Sequence, residues 1–282
     1  MRAIVLTPEP GYAEPWAWTF DIERDALEAN GIAVEGRPWT DIGAVEGFDL
    51  VLPLVAWGYN RDYRRWLDLL DRAEREHWPL VNPPAVLRWN GDKAYLAELG
   101  LAGIPTVATV EVASLDGPAL EQARERLGCG WVVVKPPISG AAEGTYRLDA
   151  CDAIPAEVEG RRMLVQPFEP GIADEGEWSL MLFGSELSHA IIKRPRAGDF
   201  RVQPHLGGTE QPCEPPDGAL EIALAALAAA PGDASYARVD LIRRGDGALA
   251  IMELELIEPA LWLQHAPAGG AAFASALRAA VR

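Results

Sequence analysis

The sequence contains only three cysteines among 282 residues, at Cys129, Cys151 and Cys213. Their spacing matches no metal-binding pattern, and a small, odd number argues against a disulfide framework and for a reducing compartment. Long apolar runs are also lacking, since no stretch approaches the roughly 20 apolar residues that a membrane span needs. The first apolar run, at residues 3–6, is too short for a secretory signal. We therefore expect a soluble cytoplasmic protein.

Basic residues are scarce as well. There are 25 Lys and Arg residues against 42 Asp and Glu residues, which gives a net charge of −17. Such a surface repels phosphate backbones, so nucleic acid is not expected as a partner. A site for a small phosphate compound would need its own cluster of cations and a divalent metal. The Walker pattern and the GxGxxG motif are both absent, so the standard phosphate-loop folds are not indicated.

The order of the expected elements divides the chain into an α/β part and an α+β remainder. Within residues 1–90, strands expected at 3–6, 49–55 and 80–82 alternate with helices, which is typical of a parallel sheet. The last third is expected to form antiparallel strands accompanied by helices. We predict an α/β plus α+β fold with units at 1–90, 91–165 and 166–282.

Three carboxylates lie on two strands near the end of the chain. Glu253 and Glu255 are two residues apart, so they point to the same face of their strand. The Gly-Asp-Gly turn at 245–247 predicts a hairpin that brings Asp240 within reach of Glu253. Facing carboxylates repel one another unless a cation lies between them, and Mg²⁺ on a nucleotide is such a cation. A solvated acidic strand face is an equally good interpretation of these residues alone.

Two groups of cations could bind a phosphate compound. Lys135 ends a β-branched strand and is followed by a loop of small residues at 136–144, whose backbone amides could close on an anion. The segment 193–201 contains Lys193 and Arg201, which could stabilise a phosphoryl group during its transfer. Taken singly, an ordinary surface lysine and a basic surface loop explain these features as well. The four histidines, among them His205, form no ligand spacing.

These motifs, together with shorter ones that lie between them, follow one another along residues 80–260 in an order that resembles the motif order of the ATP-grasp superfamily. Within it, the chain looks most similar to the bacterial glutathione synthetase and D-alanine–D-alanine ligase branch, and more similar still to the cyclo-ligase group of D-cycloserine biosynthesis. The segment 198–208 is similar to the arginine loop of glutathione synthetases, and 252–259 to the metal strand of the cycloserine group. One departure is Glu255, where many relatives have asparagine.

The resemblance implies the ATP-grasp fold, in which two α+β lobes clasp ATP beside an N-terminal parallel α/β domain. It implies ATP and Mg²⁺ as cofactors and a role for each matching residue. Lys93 and Lys135 would contact the α- and β-phosphates, and Lys193 and Arg201 would stabilise the γ-phosphate and the tetrahedral intermediate. The remaining positions are the adenine hinge at Gln166, Pro167, Phe168 and Glu169, the ribose contact at Glu177, and the magnesium ligands Asp240, Glu253 and Glu255.

Three functions are compatible with this pattern. The first is an ADP-forming ligase that joins a carboxylate to an amine through an acyl phosphate. The second is a cyclo-ligase that closes one substrate on itself, and the third is a nucleotide-binding module without activity. The combination of cations and carboxylates favours an enzyme, because phosphoryl transfer depends on positioning and charge neutralisation. Partners would be small, amino-acid-like substrates, and self-association into a homodimer is compatible with the sequence.

Overall fold

The computed structural model describes residues 1–203 and 206–281, which form three β-sheets with helices packed against them. His205 lies outside the described residues. Among the described helices, none is long and apolar enough to cross a membrane.

The N-terminal sheet is parallel and has the strand order β2-β1-β3. Its central strand is apolar from residue 3 to residue 6 because both faces are covered: Ala3 and Val5 join one core cluster, and Ile4 and Leu6 join another on the opposite face. The parallel α/β unit expected from the sequence is therefore present. Its elements are β1 (Arg2–Thr7), α1 (Ala17–Ala29), β2 (Ala33–Pro38), β3 (Leu50–Leu52) and α2 (Tyr63–Arg75).

The strand expected at 80–82 is wrong, because only a single bridge connects Leu80 to β3. The chain leaves the sheet since the buried side chain of Asn82 is used elsewhere. Its amide nitrogen donates to the carbonyls of Tyr236 and Leu256, at 3.0 and 2.9 Å. The segment thus ties the N-terminal unit to the C-terminal part of the chain.

The central sheet is antiparallel and has the order β4-β7-β5-β6. Val132 and Val134 alternate into a small core beneath one helix, and the strand ends at Lys135. Strand β7 crosses the limit expected between 165 and 166, and the three domain limits stay a prediction. The elements of this part are α3 (Pro84–Asn90), α4 (Tyr95–Leu101), β4 (Val110–Val112), α5 (Gly117–Leu127), β5 (Val132–Lys135), β6 (Tyr146–Leu148) and β7 (Met163–Pro167).

The C-terminal sheet is antiparallel and has the order β10-β9-β8-β11-β12. In β8, Leu180 and Leu182 face one core cluster and Met181 and Phe183 face another, because this strand is covered on both sides. The elements are α6 (Gly171–Asp174), β8 (Glu177–Phe183), β9 (Glu186–Arg194), β10 (Thr209–Cys213), α7 (Ala219–Ala228), β11 (Tyr236–Arg243), β12 (Leu249–Glu255) and α8 (Ala271–Ala280).

The edge strand β12 is held by two side chains along its outer edge. The Asn90 amide nitrogen donates to the carbonyl of Leu254 at 2.9 Å, and its oxygen accepts from the amide of Leu256 at 2.8 Å. The Tyr95 hydroxyl donates to the same Leu254 carbonyl at 2.9 Å. These buried bonds replace a missing neighbouring strand, and they fix the backbone that carries Glu253 and Glu255.

Replacing Asn90 with alanine should therefore lower the free energy of unfolding by about 1–3 kcal/mol, because the Leu256 amide would be left buried without a partner. Urea denaturation measures this difference. Gln122→Ala, at an exposed position of α5, is the matched control and should change the free energy by no more than about 0.5 kcal/mol. An equal effect of both substitutions would show that Asn90 does not hold the strand.

Candidate active site

A cavity of about 500 Å³ lies where the N-terminal unit, the central sheet and the C-terminal sheet meet. This volume is within the range of sites that enclose a small-molecule ligand. All the residues to which the sequence assigned a role border this cavity. They are Lys93, Lys135, Gln166, Pro167, Phe168, Glu169, Glu177, Lys193, Arg201, Asp240, Glu253 and Glu255.

The hairpin expected from the sequence is confirmed by the strand register. Asp240 of β11 lies opposite Glu253 of β12, and Arg238 lies opposite Glu255. The register shifts between Asp240 and Leu241, which leaves one extra residue in β12, Met252, at this point. Bulges of this kind change the direction of neighbouring side chains and are frequent beside active sites.

Asp240 lies at the centre of a buried hydrogen-bond network. Arg238 donates to both of its carboxylate oxygens, at 3.0 and 2.9 Å, and the Lys193 ammonium lies 3.1 Å from Oδ2. The Ser179 hydroxyl donates to Oδ1 at 2.5 Å. Burial disfavours the charge of Asp240, but Arg238 and Lys193 outweigh it and hold the pKa of this carboxyl well below its usual range.

Lys193 and Arg238 each connect Asp240 to a second carboxylate. Lys193 is paired with Glu177, and Arg238 is paired with Glu255. The indole of Trp262 lies beside both cations, with its ring centre 5.8 Å from the Lys193 ammonium and 5.2 Å from the Arg238 guanidinium. The cations are therefore screened from water by an aromatic wall as well as by their ion pairs.

Glycine is required next to the Glu177 pair. Gly176 has a φ of +104°, and a Cβ at this position would lie 2.5 Å from the carbonyl oxygen of Lys193. A side chain would push the start of β8 away from β9. Glycine thus allows Glu177 and Lys193 to face each other across the two strands.

The two lysines of the central part differ in their partners. The Lys93 ammonium lies 3.2 Å from Glu253 and also donates to the Ser139 carbonyl. Lys135 is buried, with 7% of its surface exposed, and it forms no ion pair with any carboxylate of the described residues. Burial, and then the charge of Lys93, lower the pKa of Lys135 to about 8.

This lowered pKa predicts a pH dependence of ATP use. Lys135 is charged below about pH 8 and loses its charge above it, so kcat/KM for ATP, which reports on the free enzyme, should fall as the pH rises through that value. Lys135→Arg retains its charge, and its profile should lack this fall up to about pH 9. Steady-state kinetics between about pH 6 and pH 9 test this expectation. The same fall in both proteins would assign the titration to another group.

The acidic residues of β12 and the following loop differ in their surroundings. Burial disfavours the charge of Glu253, but Lys93 and Lys135 outweigh it and lower its pKa. Burial raises the pKa of Glu255 to about 7, although Arg238 opposes this shift. Burial, and then the charge of Glu255, raise the pKa of Glu258 to about 8. A ligand that brings positive charge here would favour the ionised form of all three carboxyls.

The predicted hinge forms one wall of the cavity. Gln166 is buried in β7, and its side-chain amide donates to the Thr109 hydroxyl at 2.9 Å. Phe168 donates its backbone amide to the Trp131 carbonyl at 3.0 Å. The Glu169 carboxylate accepts a hydrogen bond from a backbone amide of the β11–β12 turn at 3.0 Å, which links the central sheet to the C-terminal hairpin.

Within the arginine loop, the side chain of Arg201 folds back onto Asp199. Arg201 is held by Asp199 through two bonds, of 3.1 and 2.9 Å, and about a third of its side chain is exposed. Arg201 strongly lowers the pKa of Asp199. The guanidinium borders the cavity, so a bound phosphate would compete with Asp199 for it.

The N-terminal unit supplies part of the cavity wall. Trp18 and Trp57 form a tilted pair with ring centres 6.2 Å apart, and both border the cavity. Arg61 lies 2.5 Å from Glu14 and 3.4 Å from Glu143. Since Glu143 belongs to the small-residue loop after Lys135, this ion pair connects the N-terminal unit to the loop across the cavity mouth.

Comparisons with known proteins agree with this architecture. Residues 17–82 match the family described as the N-terminal domain of the D-cycloserine synthetase DcsG. The cycloserine biosynthesis protein DcsG of Streptomyces lavendulae is 29% identical over 273 residues, which cover 90% of each chain. A glutathione synthetase of Prochlorococcus marinus is 29% identical over 75% of this chain and 71% of its own.

The solved structures extend the similarity to the whole fold. The crystal structure of D-cycloserine synthetase DcsG superposes with a TM-score of 0.86, at 26% identity and over 100% of both chains. The D-alanine–D-alanine ligase of Bacillus anthracis gives a TM-score of 0.69 at 18% identity, over 100% of this chain and 96% of that one. The chain is an ATP-grasp ligase. Its use of ATP follows from that class.

The structure of this ligase adds residues that sequence reasoning missed. Arg238 and Ser179 hold Asp240, and Trp262 covers the paired cations. Arg238 lies two residues before Asp240, so strand alternation places both on one face, and that signal could have identified it. Ser179 and Trp262 are distant in the sequence from their partners, and their contacts depend on the sheet order.

Of the three carboxylates expected to bind magnesium, two are arranged so that they could hold the ion. Glu253 and Glu255 point to one face of β12, about a quarter of each side chain is exposed, and each has one oxygen outside the ion pairs. Asp240 has both oxygens engaged and only 3% of its side chain exposed. Within residues 1–203 and 206–281, no group of three metal-type side chains is gathered as a metal site. Two carboxylates completed by phosphate oxygens would suit Mg²⁺.

Proposed function

We propose that this ligase closes a single amino-acid-like substrate on itself, forming a cyclic amide through an acyl phosphate and releasing ADP and phosphate. The proposal is supported mainly by the part of the chain that forms one wall of the cavity. Trp18, Trp57 and Arg61 all lie within the segment that matches the DcsG N-terminal domain, and all border the cavity. The substrate side of the site therefore resembles that of a D-cycloserine synthetase in sequence.

The charges around the cavity support a nucleotide with a divalent metal. Lys93, Lys193 and Arg238 are already paired with carboxylates, which leaves little free positive charge for the triphosphate of ATP. Of the cavity lysines in the described parts of the chain, Lys135 alone has no ion pair. Mg²⁺ held by Glu253 and Glu255 would supply the missing charge on the phosphates.

Residues of the chain would bind the nucleotide, position the metal ligands and bind the transferring phosphoryl group. Lys93 and Lys135 would hold the α- and β-phosphates, and the hinge at 166–169 and Glu177 would hold the nucleoside. Lys193 and Arg238 would keep Asp240 ionised and in place. Asp240 would bind the metal if one of these two cations released it. Arg201, released from Asp199, would bind the transferring phosphoryl group. An enzyme with these needs and three free cysteines is expected in a reducing cytoplasm.

Product mass tests the proposal. The ligase is incubated with ATP, Mg²⁺ and amino acids whose side chains end in a nitrogen nucleophile, such as O-aminoserine, diaminopropionate and ornithine. We expect ADP release together with a product that weighs one substrate less one water. AMP and pyrophosphate as products would contradict the proposal.

The alternative is a ligase that joins two molecules. It is favoured by the similarity to glutathione synthetases, which covers 75% of the chain for one of them and 67% for another. In that case ADP release would accompany the joining of two molecules, of the same amino acid or of two different ones. The product would then weigh two substrates less one water.

A further inference from the structure

Glu258 lies in the loop after β12, at the junction of the C-terminal sheet and the N-terminal unit. The residue before it, Ile257, is completely buried in the same core cluster as Tyr59 and Trp66. Ile257 thereby anchors the loop in the N-terminal unit, and Glu258, which is half-buried, borders the cavity beside Tyr59. The position of Glu258 is therefore fixed by packing on one side and faces the ligand space on the other.

The other acidic residues near Glu258 already have partners. Glu253 is paired with Lys93, and Glu255 with Arg238. At the mouth, Glu14 is paired with Arg61. Across the parts of the chain that the structure describes, Glu258 forms no ion pair and accepts no hydrogen bond from another residue. The charge of Lys93 favours ionised Glu258, but Lys93 is paired with Glu253, so a cation that arrives with a ligand would stabilise the Glu258 carboxylate further.

The surroundings of Glu258 suit an organic ammonium group. The cavity that Glu258 borders is also lined by aromatic rings, which are Trp57 and Tyr59 from the N-terminal unit and Trp262 from the segment after the loop. The ring of Trp262 already lies beside two cations. Trp57 also forms a tilted pair with Trp18, which borders the same cavity. A carboxylate together with aromatic faces is a favourable environment for an alkylammonium ion.

We propose that Glu258 binds the α-ammonium group of the substrate and makes the ligase specific for amino acids over the corresponding plain carboxylic acids. The inference rests on the proposed function. In ring closure by a side-chain nitrogen, the α-amino group takes no part in bond formation. An ion pair with Glu258 would therefore act in recognition and in orienting the substrate carboxyl.

The test compares substrates with and without the α-amino group. ADP release is measured with O-aminoserine and with its des-amino analogue aminooxypropionate, which keeps both the carboxyl and the nitrogen nucleophile. The wild type should prefer the amino acid in kcat/KM by about 10- to 100-fold. Glu258→Gln should lose most of this preference through a higher KM, while its KM for ATP stays within about twofold. Glu258→Asp, which retains the charge, should recover part of it.

Glu14→Gln is the matched control, since Glu14 borders the same cavity and has its own partner in Arg61. It should keep the preference for the amino acid. An unchanged preference in Glu258→Gln, or a rise in the Mg²⁺ concentration needed for half-maximal activity with the preference intact, would overturn the inference and leave the proposed function standing. Absence of ADP release by the wild type with every amino acid of the panel would instead sink the proposed function.

Discussion

Arg238→Met should lower the free energy of unfolding by about 3–5 kcal/mol, measured by urea denaturation without nucleotide or metal. The guanidinium is buried, with 8% of its side chain exposed, and it bonds to both Asp240 and Glu255. Its removal leaves Asp240 with Lys193 as its only cation and Glu255 with none. Uncompensated carboxylates in a buried site are among the most destabilising defects that one substitution can create.

The control for Arg238 lies on the same strand. Arg243 pairs with Glu175 at 3.1 Å, but about a third of its side chain is exposed. Arg243→Met should therefore cost no more than about 1 kcal/mol. Arg238→Lys should fall between the two, because an ammonium keeps the charge but cannot span both carboxylates. Equal costs for Arg238→Met and Arg243→Met would show that the network does not stabilise the fold.

Glu253→Gln should reduce kcat by about 10²- to 10³-fold without unfolding the protein. The substitution is nearly isosteric, and the backbone of β12 stays fixed by Asn90 and Tyr95. Because Lys93 loses its partner, it becomes freer to attract phosphate. ADP should then bind at least as tightly as in the wild type when metal is absent.

The readout that separates a metal-binding role from a structural one is the gain in ADP affinity on adding Mg²⁺. Calorimetry should show this gain in the wild type and in Glu186→Gln, a control at an exposed position of β9. The gain should be largely lost in Glu253→Gln. Full activity in Glu253→Gln, or an undiminished gain in ADP affinity on adding Mg²⁺, would show that the acidic residues of β12 are only solvated or structural.

The site was predictable from sequence to the extent that it depends on local alternation and order. The i, i+2 spacing of Glu253 and Glu255 and the glycine turn before them were enough to predict the hairpin, and the register opposite Asp240 confirms it. The fold expected from the order of the motifs is confirmed by the superposition on ATP-grasp ligases. The catalytic and binding roles themselves stay predictions.

The remaining features depend on contacts between distant parts of the chain. Asp240 was expected to share a metal ion with Glu253 and Glu255, but its oxygens are bonded by Ser179 and Lys193, which belong to other strands. The strand expected at 80–82 failed because Asn82 bonds to the C-terminal part of the chain, which no local pattern reveals. Among the described residues, Lys135 is the cavity lysine without an ion pair, and this too depends on contacts between distant parts of the chain, because the carboxylates that pair with Lys93 and Lys193 lie on strands elsewhere in the chain.

The transfer of oxygen from the substrate carboxyl to phosphate tests the central claim most directly. A substrate that supports ADP release is labelled with ¹⁸O in its carboxyl group, and the released phosphate is analysed by mass spectrometry. An acyl phosphate places the ATP γ-phosphoryl group on a carboxyl oxygen, so its breakdown should yield phosphate that carries one labelled oxygen. Phosphate without label, or label found in AMP, would contradict the mechanism proposed for this ligase.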